Sequence, residues 1–189
     1  MNPNMLRGRK VVGSEGYILG EFDGLYVDLS TWKATAFYVG LNDEATDELD
    51  FKKPFLSKII ICLPTQLIKA IGDVVTLAEP LRSLKDLAEQ ENQLNSIKLE
   101  GKKMVSVKGY SIGEVEGFDV DTTSWQITGL QVTLSDEAAT ELGFKRPLIN
   151  KVVVKIPTEA IGNVGNFVTL VKAIDNLKSL VECIRSCKS

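Results

Sequence analysis

Gly16-Tyr17-Ile18-Leu19-Gly20-Glu21-Phe22-Asp23-Gly24-Leu25-Tyr26-Val27-Asp28 returns as Gly109-Tyr110-Ser111-Ile112-Gly113-Glu114-Val115-Glu116-Gly117-Phe118-Asp119-Val120-Asp121. Within it, Leu25, Val27 and Leu29 alternate with the period of a strand, but Phe22 lies three residues before Leu25. The parity breaks at Gly24, and at Gly117 in the second copy. A glycine at such a break predicts a β-bulge, which bends a sheet toward closure.

Outward from this stretch the likeness continues without a gap, from Leu6–Leu84 onto Leu99–Leu177 at one constant offset. Roughly 40% of the aligned positions are identical, a strong internal repeat whose period is that of a small domain. Two domains are therefore expected, 1–95 and 96–189. A residue essential to a shared activity should occur twice. A residue that occurs once belongs to what the halves do differently.

Each copy reads alike. A short strand near Lys10 to Gly13 precedes the quoted stretch, and Asp28 to Trp32 or Asp121 to Trp125 reads as a hairpin turn. The next strand puts Thr35, Phe37, Val39 and Leu41 on one face, matched by Thr128, Leu130, Val132 and Leu134. A short helix is expected near Asp43–Leu49 and Asp136–Leu142, with Asp43 or Asp136 as cap. Strands at Ile59–Leu63 and Val152–Ile156 end at Pro64 and Pro157, and a last strand covers Asp73–Leu77 or Asn166–Leu170. Terminal helices are predicted from Leu81, Leu84, Leu87 or Ala88, and Leu94, and from Ile174, Leu177, Leu180, Val181, Ile184 and Cys187. Glu89 to Ser96 reads as the linker. The expected fold is mainly β: two tandem small antiparallel β-barrels, each with a short inserted helix and a terminal helix.

Of the 189 residues, 44% are apolar and 25% charged, as in globular proteins, with net charge −3. Residues 1–97 carry 10 basic and 14 acidic side chains, and 98–189 carry 12 and 11. Neither half is a polybasic nucleic-acid binder in bulk. Histidine is absent, and Cys62 is matched by Lys155, so the halves share no disulfide or metal framework. Cys183 and Cys187 are expected to pack as apolar groups on the last helix. An odd cysteine count without a signal-like apolar stretch points to the cytoplasm. No cofactor is expected.

The order of these signals resembles the PRC-barrel family. The carrying residues are Gly8, Lys10, Gly16, Gly20-Glu21, Val27-Asp28, Lys58, Pro64 and Val75-Thr76-Leu77. Their second set is Gly101, Gly109, Gly113-Glu114, Val120-Asp121, Lys151, Pro157 and Val168-Thr169-Leu170. The resemblance implies a protein-binding scaffold rather than an enzyme. In its tandem form it resembles stand-alone archaeal members of the FtsZ-based division machinery, which implies the membrane anchor SepF or a related PRC-barrel protein as partner. It implies homo- or hetero-oligomers at the division site without membrane insertion. The other family role is that of an RNA- or ribosome-associated factor like the C-terminal domain of RimM.

The paired carboxylates Glu21/Glu114, Asp28/Asp121, Asp43/Asp136, Glu44/Glu137 and Glu48/Glu141 fall where turns and helix starts favour them, so no catalytic set is expected. The basic loops Lys52, Lys53 and Lys58, with Lys145, Arg146 and Lys151, suit an acidic partner or phosphate. The sharpest differences between copies are Tyr26, Tyr38, Ile60 and Cys62 against Asp119, Gln131, Val153 and Lys155. They make the first copy's outer wall the more apolar and the candidate protein interface.

Overall fold

In the computed structural model residues 1–52, 57–90, 99–144 and 150–185 are described. The chain divides into two compact units, Pro3–Ile97 and Lys98–Ser189, the latter taking in Met1–Asn2. Each is built on one curled seven-stranded sheet.

In the first unit the strands are β1 (Lys10–Val12), β2 (Ile18–Asp28), β3 (Lys33–Leu41), β4 (Ile60–Pro64), β5 (Ile68–Ile71), β6 (Val75–Leu77) and β7 (Glu89–Gln90). Their order is β5-β6-β1-β2-β3-β4-β7. The second unit repeats it with β8 (Lys103–Val105), β9 (Ser111–Val120), β10 (Ile127–Leu134), β11 (Val153–Pro157), β12 (Ile161–Val164), β13 (Val168–Leu170) and β14 (Glu182–Arg185), in the order β12-β13-β8-β9-β10-β11-β14. The sheets are mixed rather than purely antiparallel, because β6 lies parallel to β1 and β13 to β8. The β5–β6 hairpin reverses the chain just before it reaches β1.

The register of β2 on β3 shifts between Phe22 and Gly24, so the break in alternation is a bulge. The matching shift faces Gly117, between Gln131 and Val132 on β10. This bulge lets Phe22 face inward with Phe37, Val39, Leu41, Ile61 and Leu63, all fully or almost fully buried. The rings of Phe22 and Phe37 stack with centroids 6.0 Å apart. Gly20 permits the closest approach in the sheet. A Cβ there would fall inside the van der Waals surface of the Gly40 carbonyl, and one on Gly113 would strike the Thr133 carbonyl.

The inserted helices are α1 (Asp43–Glu48) and α2 (Asp136–Glu141). Their caps lie one residue earlier than expected. Asn42 Oδ1 accepts from the Ala45 N–H at 2.7 Å, and Ser135 Oγ from the Ala138 N–H at 3.1 Å. Asp43 and Asp136 instead fill the first turn, where a negative charge still suits the helix dipole. The terminal helices do not form among the described residues. Leu81–Leu84 and Ile174–Asn176 are 3-10 turns that bury Leu81, Leu84 and Ile174, and edge strands β7 and β14 follow. One tight turn therefore meets the apolar spacing that suggested several helical turns. Cys183 lies exposed on β14 and is disulfide-bonded, not packed on a helix. Cys187 and the linker positions 91–96 lie outside the described residues.

The hairpin loops after β2 and β9 are closed by their aspartates. Asp28 accepts from the Ser30 N–H and Oγ and from Thr31 Oγ1, and Asp121 accepts from the Thr123 N–H. Trp32 and Trp125 complete the turns with φ of 52° and 61°. These hydrogen bonds hold both carboxyls below their ordinary value, led by the Ser30 hydroxyl at Asp28 and by the Thr123 amide at Asp121. A carboxyl lowered by folding stabilises above its unfolded value and loses that effect as pH falls through the folded one.

Two predictions follow from the sheet and its turns. Gly20→Ala or Gly113→Ala is expected to cost about 2–4 kcal/mol in urea unfolding. Gly72→Ala, at an open position, is the control expected to stay within about 0.5 kcal/mol. Equal losses would refute the close-approach account. Asp28→Asn and Asp121→Asn should lower thermal stability at pH 7, and their deficit should shrink below the ordinary carboxyl value of 3.8. A deficit independent of pH in acid melts would contradict the turn assignment.

Candidate functional site

On β3, residues 36, 38 and 40 alternate with the core positions 37, 39 and 41, and therefore face outward. Tyr38 stands opposite Cys62, Gly40 opposite Ile60, and Ala36 opposite Tyr26. All four candidate interface residues thus share one sheet face. Tyr26 and Ile60 are half-buried, whereas Tyr38 and Cys62 retain only 7% and 3% exposure.

The same face continues to Glu21, opposite Gly40, and to Lys10, opposite Glu21. Lys58 reaches over it and places Nζ 3.1 Å from Glu21 Oε2. Lys10, Gly20, Glu21, Gly40 and Lys58 line an open groove of about 500 Å³. The second unit has its counterpart, about 480 Å³, lined by Lys103, Gly113, Glu114, Thr133 and Lys151. The groove is therefore a repeated feature; Lys58 lines it, and Ile60 stands opposite the lining residue Gly40. The exposed Lys58–Glu21 pair contributes only about 0.2–1 kcal/mol to the fold.

Beside the grooves the copies part. In the second unit Gln131 Nε2 donates to Asp119 Oδ1 at 3.1 Å, and Lys155 Nζ lies 3.8 Å from Asp119 Oδ2. Asn2 Nδ2 donates to Gln131 Oε1 at 2.8 Å. The pair is well shielded, with side-chain exposures of 24% for Lys155 and 18% for Asp119. A fourth difference belongs to this set. Gly129 replaces Ala36, and a Cβ there would lie 2.8 Å from both the Ile156 carbonyl oxygen and Lys155 Cε, so the glycine makes room for the neighbouring strand and for the lysine stem. Asp119, Gly129, Gln131 and Lys155 are a matched polar set where the first unit carries Tyr26, Ala36, Tyr38 and Cys62. The glycine was not singled out from sequence, because its cross-strand partner Asp119 is visible only once the register is known.

Lys52 is exposed beyond α1, and Lys151 is exposed at the second groove. Lys53, Lys145 and Arg146 lie outside the described residues. The recurring Tyr17 and Tyr110 have phenols raised first by burial. The next contributions come from Glu44 and Glu48 at Tyr17, and from Glu141 and Glu137 at Tyr110. Among the described residues no group of acidic, histidine or cysteine side chains is arranged to hold a metal ion. No described helix is long and apolar enough to cross a membrane. No family model matches the chain, and no curated protein matches it.

The shielded and exposed pairs make opposite predictions. Asp119→Ala, which strands the Lys155 ammonium and a Gln131 donor, is expected to cost about 1–3 kcal/mol in urea unfolding. Glu21→Ala should cost under about 1 kcal/mol. A reversed order would contradict the structural role given to the polar set.

Proposed function

We propose that the chain is a non-enzymatic protein-binding scaffold of two tandem small β-barrels of PRC-barrel type. The observation that carries this reading is the division of each outer face. Both units keep the Lys–Glu–Lys groove, while the adjoining patch is aromatic and aliphatic in one and a closed polar set in the other. A shared groove beside unlike patches offers two similar but unequal docking faces, and a scaffold distinguishes partners by such differences. The accessible part of the first face is Tyr26 and Ile60 beside Lys58. The recurring aspartates at the turns have a structural use already, which favours binding over acid–base chemistry.

The partner that the PRC-barrel resemblance favours is a SepF-like anchor of the archaeal FtsZ ring, met in the cytoplasm at the division site. A related PRC-barrel protein is the other candidate of the same kind. The test is calorimetric titration of the full chain with purified SepF. Tyr26→Asp and Ile60→Asp are each expected to weaken binding at least about tenfold, about 1.4 kcal/mol, with an unchanged circular dichroism spectrum. Failure to bind SepF and related PRC-barrel proteins, with salt-sensitive capture of ribosomal RNA instead, would overturn this reading in favour of an RNA-associated factor.

A further inference from the structure

The second unit carries a larger exposed apolar surface on the outer side of β13 and the loop after β8, where the first unit has only Val74 in the place of Phe167. Val168 and Leu170 point into the core, so Phe167, Thr169 and Val171 face outward. Phe167 and Val171 are each 50% exposed, and Val107 is 58% exposed. Val168 pairs in parallel with Met104 and Thr169 with Val105, so Val107 and Val171 each follow two residues beyond the last paired positions of adjoining strands. The strip from Phe167 to Val171 runs about 13 Å at strand rise. Lys108 and Lys172, both exposed, flank its end.

The repeat shows what this place looks like without the strip. Ser14-Glu15 stands where the second copy has Val107-Lys108, and Ala78-Glu79 where it has Val171-Lys172. These two segments touch in the first unit, since the Ser14 N–H donates to the Glu79 carbonyl at 3.1 Å. Glu15 also serves the fold, because its Oε1 accepts from the Leu81 N–H at 2.8 Å and caps the 3-10 turn. Lysine at 108 has no acceptor with which to do this for Ile174. Two neighbouring segments thus differ between the copies in the same two ways, small or polar against valine and acid against lysine. A fold already satisfied by Ser-Glu and Ala-Glu does not require either change.

We propose that this strip is a docking surface for an acidic segment of a partner protein, one that carries apolar residues between its carboxylates. Charge complementarity selects the occupant: lysines stand at both positions where the first unit has acids, and the centre is aliphatic. Valine and phenylalanine side chains of the segment cover the strip, and its carboxylates meet Lys108 and Lys172. Nucleic acid would satisfy the lysines but leave the valines wet, and a single phenylalanine is a poor stacking platform. A lipid surface would meet short branched side chains on a sheet face, with little to bury in the acyl layer. The surface belongs to the second unit and the Tyr26 and Ile60 face to the first, so its test is read independently of SepF binding.

The experiment uses the full chain with a short end-blocked peptide alternating glutamate with valine and phenylalanine, read by fluorescence anisotropy. The combined variant Val107→Ser, Lys108→Glu, Val171→Ala and Lys172→Glu installs the residues that the first unit already accommodates, including an acid placed to cap the 3-10 turn. Binding is expected for the unaltered chain and is expected to fall at least tenfold in the variant. A control peptide with lysine in place of glutamate should not bind. Absence of peptide binding, equal binding to the variant, or equal binding of the lysine peptide would overturn the proposal. So would variant-sensitive binding of phosphatidylglycerol vesicles or single-stranded RNA in place of the peptide.

Discussion

No side chain fits between Gly20 and the carbonyl of Gly40, and none between Gly113 and that of Thr133. These contacts sit where the long strands β2 and β9 meet β3 and β10, a few residues before the bulges at Gly24 and Gly117. Close approach and bulge together turn the strand, so that Phe22 and Val115 face inward while Glu21 and Glu114 stay outside. The stacked Phe22 and Phe37 follow from that turn, as do the groove beside Glu21 and the face shared by Tyr26 and Tyr38. A straight strand at this point would exchange its inner and outer side chains from the break onward.

With that geometry fixed twice, the copies diverge by replacing whole neighbourhoods. Asp119, Gly129, Gln131 and Lys155 work as a set: the carboxylate meets the amide and the ammonium, and the glycine accommodates the lysine stem. Installing one member alone in the first unit would leave a polar group facing Tyr26, Tyr38 or Cys62. The valine–lysine pairs at 107–108 and 171–172 diverge in the same concerted manner on another face. Recurring residues account mostly for folding, and the proposed binding faces fall in the groups of residues that differ between the copies.

Much of the fold is legible in the residues. Alternation locates β2 and β3, the apolar run ended by Pro64 locates β4, the parity break locates the bulge, and the acidic turn after Leu41 or Leu134 locates the short helices. Strand β5 is missed because Ile68-Lys69-Ala70-Ile71 is short and lacks clear alternation. The terminal helices are overcalled because leucines three apart suit a 3-10 turn as well as an α-helix. Tyr26, Tyr38, Ile60 and Cys62 are legible as outward positions, but the burial of Tyr38 and Cys62 depends on tertiary packing and is not. The grooves are hidden because Lys10, Glu21 and Lys58 are distant in sequence and meet only through strand register.

The central claim is that the recurring residues build the fold and the divergent sets carry recognition. Its most direct test is a titration of SepF into a chain in which Tyr26→Asp, Ala36→Gly, Tyr38→Gln and Cys62→Lys transplant the second unit's polar set onto the first. A cooperative unfolding transition near that of the unaltered chain, together with loss of SepF binding, is the predicted result. Binding that survives the transplant but disappears when Lys58→Glu and Lys151→Glu alter the shared grooves would contradict the claim, and would place recognition in what the two copies have in common.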